Sequence, residues 1–217
     1  IKVFEIQAFN YYKQNRAAVN QAIDLDGMVA THERTLTFDT PDAQRVRRTL
    51  DFPEIDKRGV YVVELIGNGV SSRALIYVGK LEYLTVPTAY GQAVAVLNEN
   101  GELVKDARLW MAGTEYTPDD EGLILLPYSN AEKVEFVILR QASFSSPEQL
   151  RHLGEPYTFS AGIYVEPQAL GRLRTSALVL RPDLRVNGIP LDPALLEDVK
   201  VTLRTSDAKG TPIEREF

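Results

Sequence analysis

Residues 59–79 read GVYVVELIGNGVSSRALIYVG, and this stretch decides the fold. Two runs rich in β-branched and apolar residues, 60–66 and 72–78, meet through Gly67, Asn68 and Gly69. Asn-Gly at a two-residue turn accepts positive φ at both central positions, which matches the twist of the strands it joins. The pattern predicts a β-hairpin, closed by Gly79 before a new segment starts near Leu81.

Upstream of the hairpin, residues 1–9 read as a strand with Phe4, Ile6 and Ala8 on one face. Residues 10–20 are polar and suit a loop or a helical turn. Residues 23–29 alternate apolar with acidic up to Gly27, as a strand entering a turn would, and 35–38 read as another short strand. In 41–52, Arg45, Arg47 and Arg48 interleave with Val46 and Leu50, which fits either an exposed strand or a short helix ended by Pro53. These elements and the hairpin make a first unit, 1–80, of the size of a β-sandwich.

A second unit, 81–155, holds apolar runs at 91–97, 103–111 and 123–126, separated by Asn-Gly at 100–101 and by the Pro-Asp-Asp-Glu-Gly turn at 118–122. Val134, Phe136 and Ile138 follow a polar turn at 129–133. Strand–turn spacing of about 8–12 residues marks an all-β sandwich. Ser146-Pro147-Glu148 has the layout of a helix start, so 143–154 is expected to be a helical connector. A third unit, 156–217, opens on the alternation Tyr157, Phe159, Ala161, Ile163, Val165, continues through 176–180 and 184–191 with Asn187-Gly188, a helical turn at 192–198, an alternating run at 199–204 and a turn at 207–210. Ile1 in place of an initiator Met, and an ending inside what reads as a further strand, lead us to expect a piece of a longer chain whose third sandwich is partial.

The totals exclude several classes. A net charge of −6 over 217 residues gives no clustered basic surface for nucleic acid and no support for an anionic membrane surface. The absence of cysteine removes disulfides, thiolate metal ligands and a cysteine nucleophile. No apolar run approaches the roughly 20 residues of a membrane helix, so no membrane insertion is expected.

Gly67-Asn68-Gly69-Val70-Ser71-Ser72 resembles a phosphate loop, yet it lacks the lysine and a strand follows in place of a helix. The acidic groups at 24–27 and 119–122 lack the oxygen count that calcium requires and fit turn chemistry. His32 and His152 are read as solvated loop histidines. No Gly-X-Ser-X-Gly elbow accompanies Ser71 or Ser143. With 30 acidic residues, no carboxylate pair stands out. Trp110, Tyr116 and Tyr128 form a candidate carbohydrate platform, against which a core position for Trp110 is the expected outcome. No catalytic, cofactor-binding or metal-ligating residue is therefore assigned.

Arg58-Gly59-Val60-Tyr61-Val62-Val63-Glu64-Leu65, with 67–69 and 71–76, resembles the macroglobulin-like sandwich modules of bacterial alpha-2-macroglobulin-family proteins, as do 161–165 and 179–182. Residues 92–129 are also similar to carboxypeptidase-regulatory or transthyretin-like sandwiches. The resemblance implies tandem antiparallel β-sandwiches of macroglobulin, fibronectin-III or transthyretin type. It further implies a non-catalytic scaffold or interaction fragment of a large extracytoplasmic bacterial protein, with protease inhibition or a surface role for the parent, and with the other domains of that chain and a protease or other protein as partners. The family's Cys-Gly-Glu-Gln thioester has no counterpart here. The alternative is a carbohydrate-binding accessory module of a secreted enzyme.

Overall fold

Four antiparallel strands, β1 (Lys2–Ile6), β2 (His32–Glu33), β3 (Gly59–Gly67) and β4 (Val70–Val78), form the first sheet in the order β2-β1-β3-β4. The computed structural model describes residues 1–41, 44–167, 176–206 and 209–217, which divide into two compact units, Ile1–Gly154 and Glu155–Phe217. The hairpin forms as its sequence requires. β3 and β4 pair from Gly59↔Val78 to Gly67↔Val70, around Asn68 (φ 49°) and Gly69 (φ 78°).

Alternation along β1 and β3 sorts their side chains onto two faces, and both are covered. Phe4, Ile6, Val60 and Val62 pack against Tyr12, Val19 and Leu25, while Ile1, Val3, Tyr61 and Val63 pack against Leu36, Leu50, Phe52 and Ile55. Ala8 does not continue the strand. It begins α1 (Ala8–Asn15), which lays Tyr12 into the first of these cores.

Among the described residues neither 23–29 in the first cover nor 34–58 in the second holds a regular strand, so the strands expected at 23–29 and 35–38 are replaced by irregular backbone. At Asp24 the carboxylate accepts from the Asp26 amide (2.9 Å), turning the chain where alternation suggested a strand. The described part of 41–52 is neither strand nor helix, and 42–43 lie outside the described residues. Arginines tie this cover down. Arg34 donates to the Asp51 carbonyl (2.9 Å) and lies 4.6 Å over the Phe52 ring, and Arg48 lies 4.9 Å over Phe38.

Strands β5 (Leu81–Thr88), β6 (Gly91–Asn98), β7 (Arg108–Met111), β8 (Thr114–Tyr116), β9 (Leu123–Leu126), β10 (Lys133–Gln141) and β11 (Phe144–His152) build two sheets, β5-β6-β9 and β11-β10-β7-β8. Leu81, Val94, Val96, Ile124 and Leu126 from one meet Leu109, Met111, Val137, Leu139 and Leu150 from the other in a single core. Within 103–111 only the last four residues are strand, Leu103 adding an isolated bridge to Leu97.

The helical connector expected at 143–154 is instead β11, paired with β10 along its whole length. Pro147 is tolerated because β11 is an edge strand, where a missing N–H need not break a ladder. Ser146, read as a helix cap, turns its hydroxyl to the Leu81 amide (2.9 Å).

The second unit contains β12 (Tyr157–Val165), β13 (Leu178–Val186) and β14 (Ile189–Leu191) in one sheet, and β15 (Thr202–Ser206) with β16 (Pro212–Glu216) in another. β13 runs unbroken through Arg181-Pro182, where 176–180 and 184–191 were expected to be separate. β14 pairs only with Leu184–Val186, so Pro182 faces β12 alone. Asp192 caps a 3₁₀ turn, Pro193–Leu195, by accepting from the Ala194 amide. The turn expected at 207–210 lies partly outside the described residues. The chain is all-β, with antiparallel sheets throughout, in agreement with tandem sandwich domains.

Candidate protein-interaction surface

The second sandwich has two outer faces. On the β11-β10-β7-β8 side, Trp110 and its register partner Ile138 point away from the sandwich core and join Phe4, Ile6, Tyr12, Val60 and Val62. This outer face is thus a shared core with the first sheet, and Trp110 is only 8% exposed.

Arg58 clamps the same junction. Its guanidinium donates to Gln141 Oε1 (2.9 Å), the Lys80 carbonyl (3.1 Å) and Glu99 Oε2 (3.0 Å), and it stacks 4.2 Å over the Phe144 ring. The backbone amides of Glu99 and Lys80, with Arg58, hold the Glu99 carboxyl below its ordinary range. Burial, then the Tyr77 and Tyr11 hydroxyls, push the Tyr12 phenol far up, so it stays neutral.

The β5-β6-β9 face is open. Leu84 pairs with Ala95 and Ala95 with Leu123; Val86 pairs with Ala93 and Ala93 with Leu125. These two cross-strand rows, with Leu97 beside Glu82, are apolar where the outer face of a sandwich normally carries polar residues. Leu84 is 63% and Val86 58% exposed, and Leu125 and Leu103 are exposed beside them. Apolar side chains exposed side by side on one sheet face make it a candidate contact surface. Both sets of alternate residues are apolar in 93–97 and 123–126, which signals the face, whereas Glu82, Thr85 and Pro87 obscure the strand at 81–88.

The residues weighed for chemistry do not converge. Trp110 lies in the junction core, Tyr116 packs on the sandwich core, and Tyr128 donates to the Thr88 carbonyl (2.6 Å), so they form no common platform. His32 is exposed, but on β2 and not in a loop. His152 is not a solvated loop residue: it is buried near the end of β11, with Nε2 2.8 Å from the Pro127 carbonyl. Ser143 sits nine positions back along the same extended chain, roughly 30 Å away, and therefore cannot pair with His152. Asp119 Oδ1 accepts from the amides of Glu121 and Leu123 (3.0 and 2.8 Å), which is turn chemistry. Among the described residues no three histidine or acidic side chains gather as a metal set, and no helix is long and apolar enough to cross a membrane.

Residues 1–79 match a family model of the AbpF first immunoglobulin-like domain, and residues 166–217 match one of the AbpF third immunoglobulin-like domain. The chain is similar to Actin-binding protein F of Dictyostelium discoideum, 32% identical over 222 aligned positions that cover 98% of this chain. It spans 9% of the length of that relative. No solved structure matches the chain.

These findings overturn the macroglobulin resemblance. Most of the motifs that carried it, in 58–76 and 179–182, lie inside the two immunoglobulin-like matches. A hairpin's β-branched runs and Asn-Gly turn are demanded by strand geometry in any sandwich and do not separate one family from another. The bacterial source, the extracytoplasmic location, the protease partner and the protease-inhibitor scaffold rested on that resemblance and fall with it. The carbohydrate-binding alternative falls too, since its tryptophan is buried in the junction.

Proposed function

We propose that this chain is a non-catalytic run of immunoglobulin-like modules, with boundaries near 80 and 155, that binds actin filaments in the cytoplasm. The observation that carries this reading is the 32% identity, along nearly the whole chain, to a protein named for actin binding. The contact surface we assign is the open β5-β6-β9 face, where Leu84, Val86 and Leu125 stand exposed on a rigid sheet. Apolar side chains fixed on strands lose little freedom on docking, which suits a protein partner.

Co-sedimentation of the chain with purified actin filaments tests the proposal. The chain is expected to pellet saturably with filaments. Leu84→Asp with Leu125→Asp is expected to weaken binding about tenfold or more, since it places two charges in a desolvated contact. Both side chains are exposed, so the melting temperature should not change. Failure of the chain to pellet overturns actin binding, and full binding by the double variant overturns the assigned face.

A further inference from the structure

Between the first sheet and the β11-β10-β7-β8 sheet lies a cleft of about 590 Å³, and three features of its wall point to an oxyanion. The first is the start of α1. Gln7 occupies the cap position without a side-chain capping bond, and the first turn carries no acidic residue. Its carboxamide oxygen is taken by Asn10 Nδ2 (3.1 Å) instead. The first amides of a helix have no partner within it and carry partial positive charge, and residues 7–10 all line the cleft.

The second feature is Arg140, whose guanidinium carbon lies 4.7 Å over the Phe9 ring and so stands beside the helix start. The third is Ser145, the register partner of Arg140. Side chains alternate along β10 and β11, so both residues share the face of Ile138 and Trp110, which looks toward the first sheet. Ser145 is 2% exposed, lines the cleft, and its hydroxyl has no hydrogen-bond partner. A buried hydroxyl left unpaired costs free energy that a ligand oxygen would recover.

The cleft is not uniformly cationic. Glu5 lines it as well, and Arg140 already leans on Glu115 at 3.5 Å. Its volume far exceeds that of a single ion and falls in the range of about 300–1,000 Å³ that holds extended organic ligands. A mixed wall of this size fits a peptide that carries charges of both signs better than a free inorganic anion.

We propose that this cleft binds a peptide segment carrying charges of both signs, its carboxylate held by the first amides of α1, the Arg140 guanidinium and the Ser145 hydroxyl, with a neighbouring basic group meeting Glu5. The site is separate from the β5-β6-β9 face and does not depend on actin binding.

The test is a titration of the ¹⁵N-labelled chain with a blocked peptide of alternating glutamate and lysine, followed through the backbone amides of Ala8, Phe9 and Asn10. Saturable shifts are expected at those amides, with affinity lowered about tenfold by Arg140→Gln and less by Ser145→Ala. Gln7→Asp places a carboxylate on the same amides from within the chain. It is expected to raise the melting temperature while abolishing peptide binding, a combination that damage to the fold would not produce. Absence of saturable shifts overturns the proposal. So does an equal response to a lysine–glutamine peptide, or to inorganic phosphate alone, which would make this a general-purpose or small-ion site.

Discussion

Two pairs of nine-residue strands in this molecule look alike in sequence and differ in fate. β3 with β4 and β12 with β13 each pair across their full length in antiparallel register. Along β3 five consecutive residues, Val60 to Glu64, are buried, because one face meets α1 and Trp110 and the other meets the 34–58 segment. Along β12 every residue but Val165 is exposed, and Phe159, Ile163 and Tyr164 offer apolar surface on both faces. Strand pairing follows from local alternation and β-propensity; burial requires a second layer, and in Glu155–Phe217 only Leu184 and Val186 among the described apolar residues are buried.

The largest break in that comparison comes from one charge placed in each pair. Val62→Asp buries a carboxylate at a fully buried position and is expected to prevent folding of Ile1–Gly154, read as loss of the cooperative urea transition. Phe159→Asp, on the exposed strand, is expected to change stability by less than about 0.5 kcal/mol. A cooperative transition surviving Val62→Asp, or one lost to Phe159→Asp, would contradict the assignment of the layers.

A smaller effect is expected at the junction. Trp110→Ala leaves a cavity facing Phe4, Ile6 and Tyr12 and should cost about 3–5 kcal/mol in urea denaturation. A value near zero would mean that the first sheet does not need this face of the sandwich.

The smallest effect is a matter of pH. Burial raises the Glu148 carboxyl above its ordinary value, outweighing the opposing attraction of Lys80. The fold therefore prefers the protonated form: its contribution is fully present below the ordinary carboxylate range and is lost as pH rises through the raised value. Glu148→Gln is expected to raise the melting temperature slightly at pH 7 and to leave it unchanged well below pH 4, as followed by circular dichroism across that range. A gain that grew toward acid would reverse the sign of this argument.

Legibility tracked how local the cause was. The 59–79 hairpin and the Asn187-Gly188 turn rest on residues adjacent in sequence, so both turns are legible in the chain alone, although the extent of β13 through Pro182 is not. β11 was hidden because Ser146-Pro147-Glu148 matches a helix start, and only its place at a sheet edge makes Pro147 harmless in a strand. The 34–58 cover escaped reading because Leu36, Leu50, Phe52 and Ile55 reach the sheet singly, with no period to detect. Trp110 could be expected to be buried, but alternation along β7 says only that it opposes Leu109 and Met111. Which partner fills the space beyond it depends on β1, β3 and α1, far away in sequence. The family was illegible for a related reason: strand and turn patterns report backbone geometry, which unrelated sandwiches share.

The central structural claim is that the first sheet and the second sandwich share one core, leaving a single sandwich face open for a partner. Trp110 is the only tryptophan and lies in that junction, so its fluorescence reports it alone. Urea unfolding of Ile1–Gly154, followed by tryptophan fluorescence and by far-ultraviolet circular dichroism, should give coincident single transitions. Fluorescence lost at lower urea than secondary structure would show two modules merely touching and would contradict the shared core.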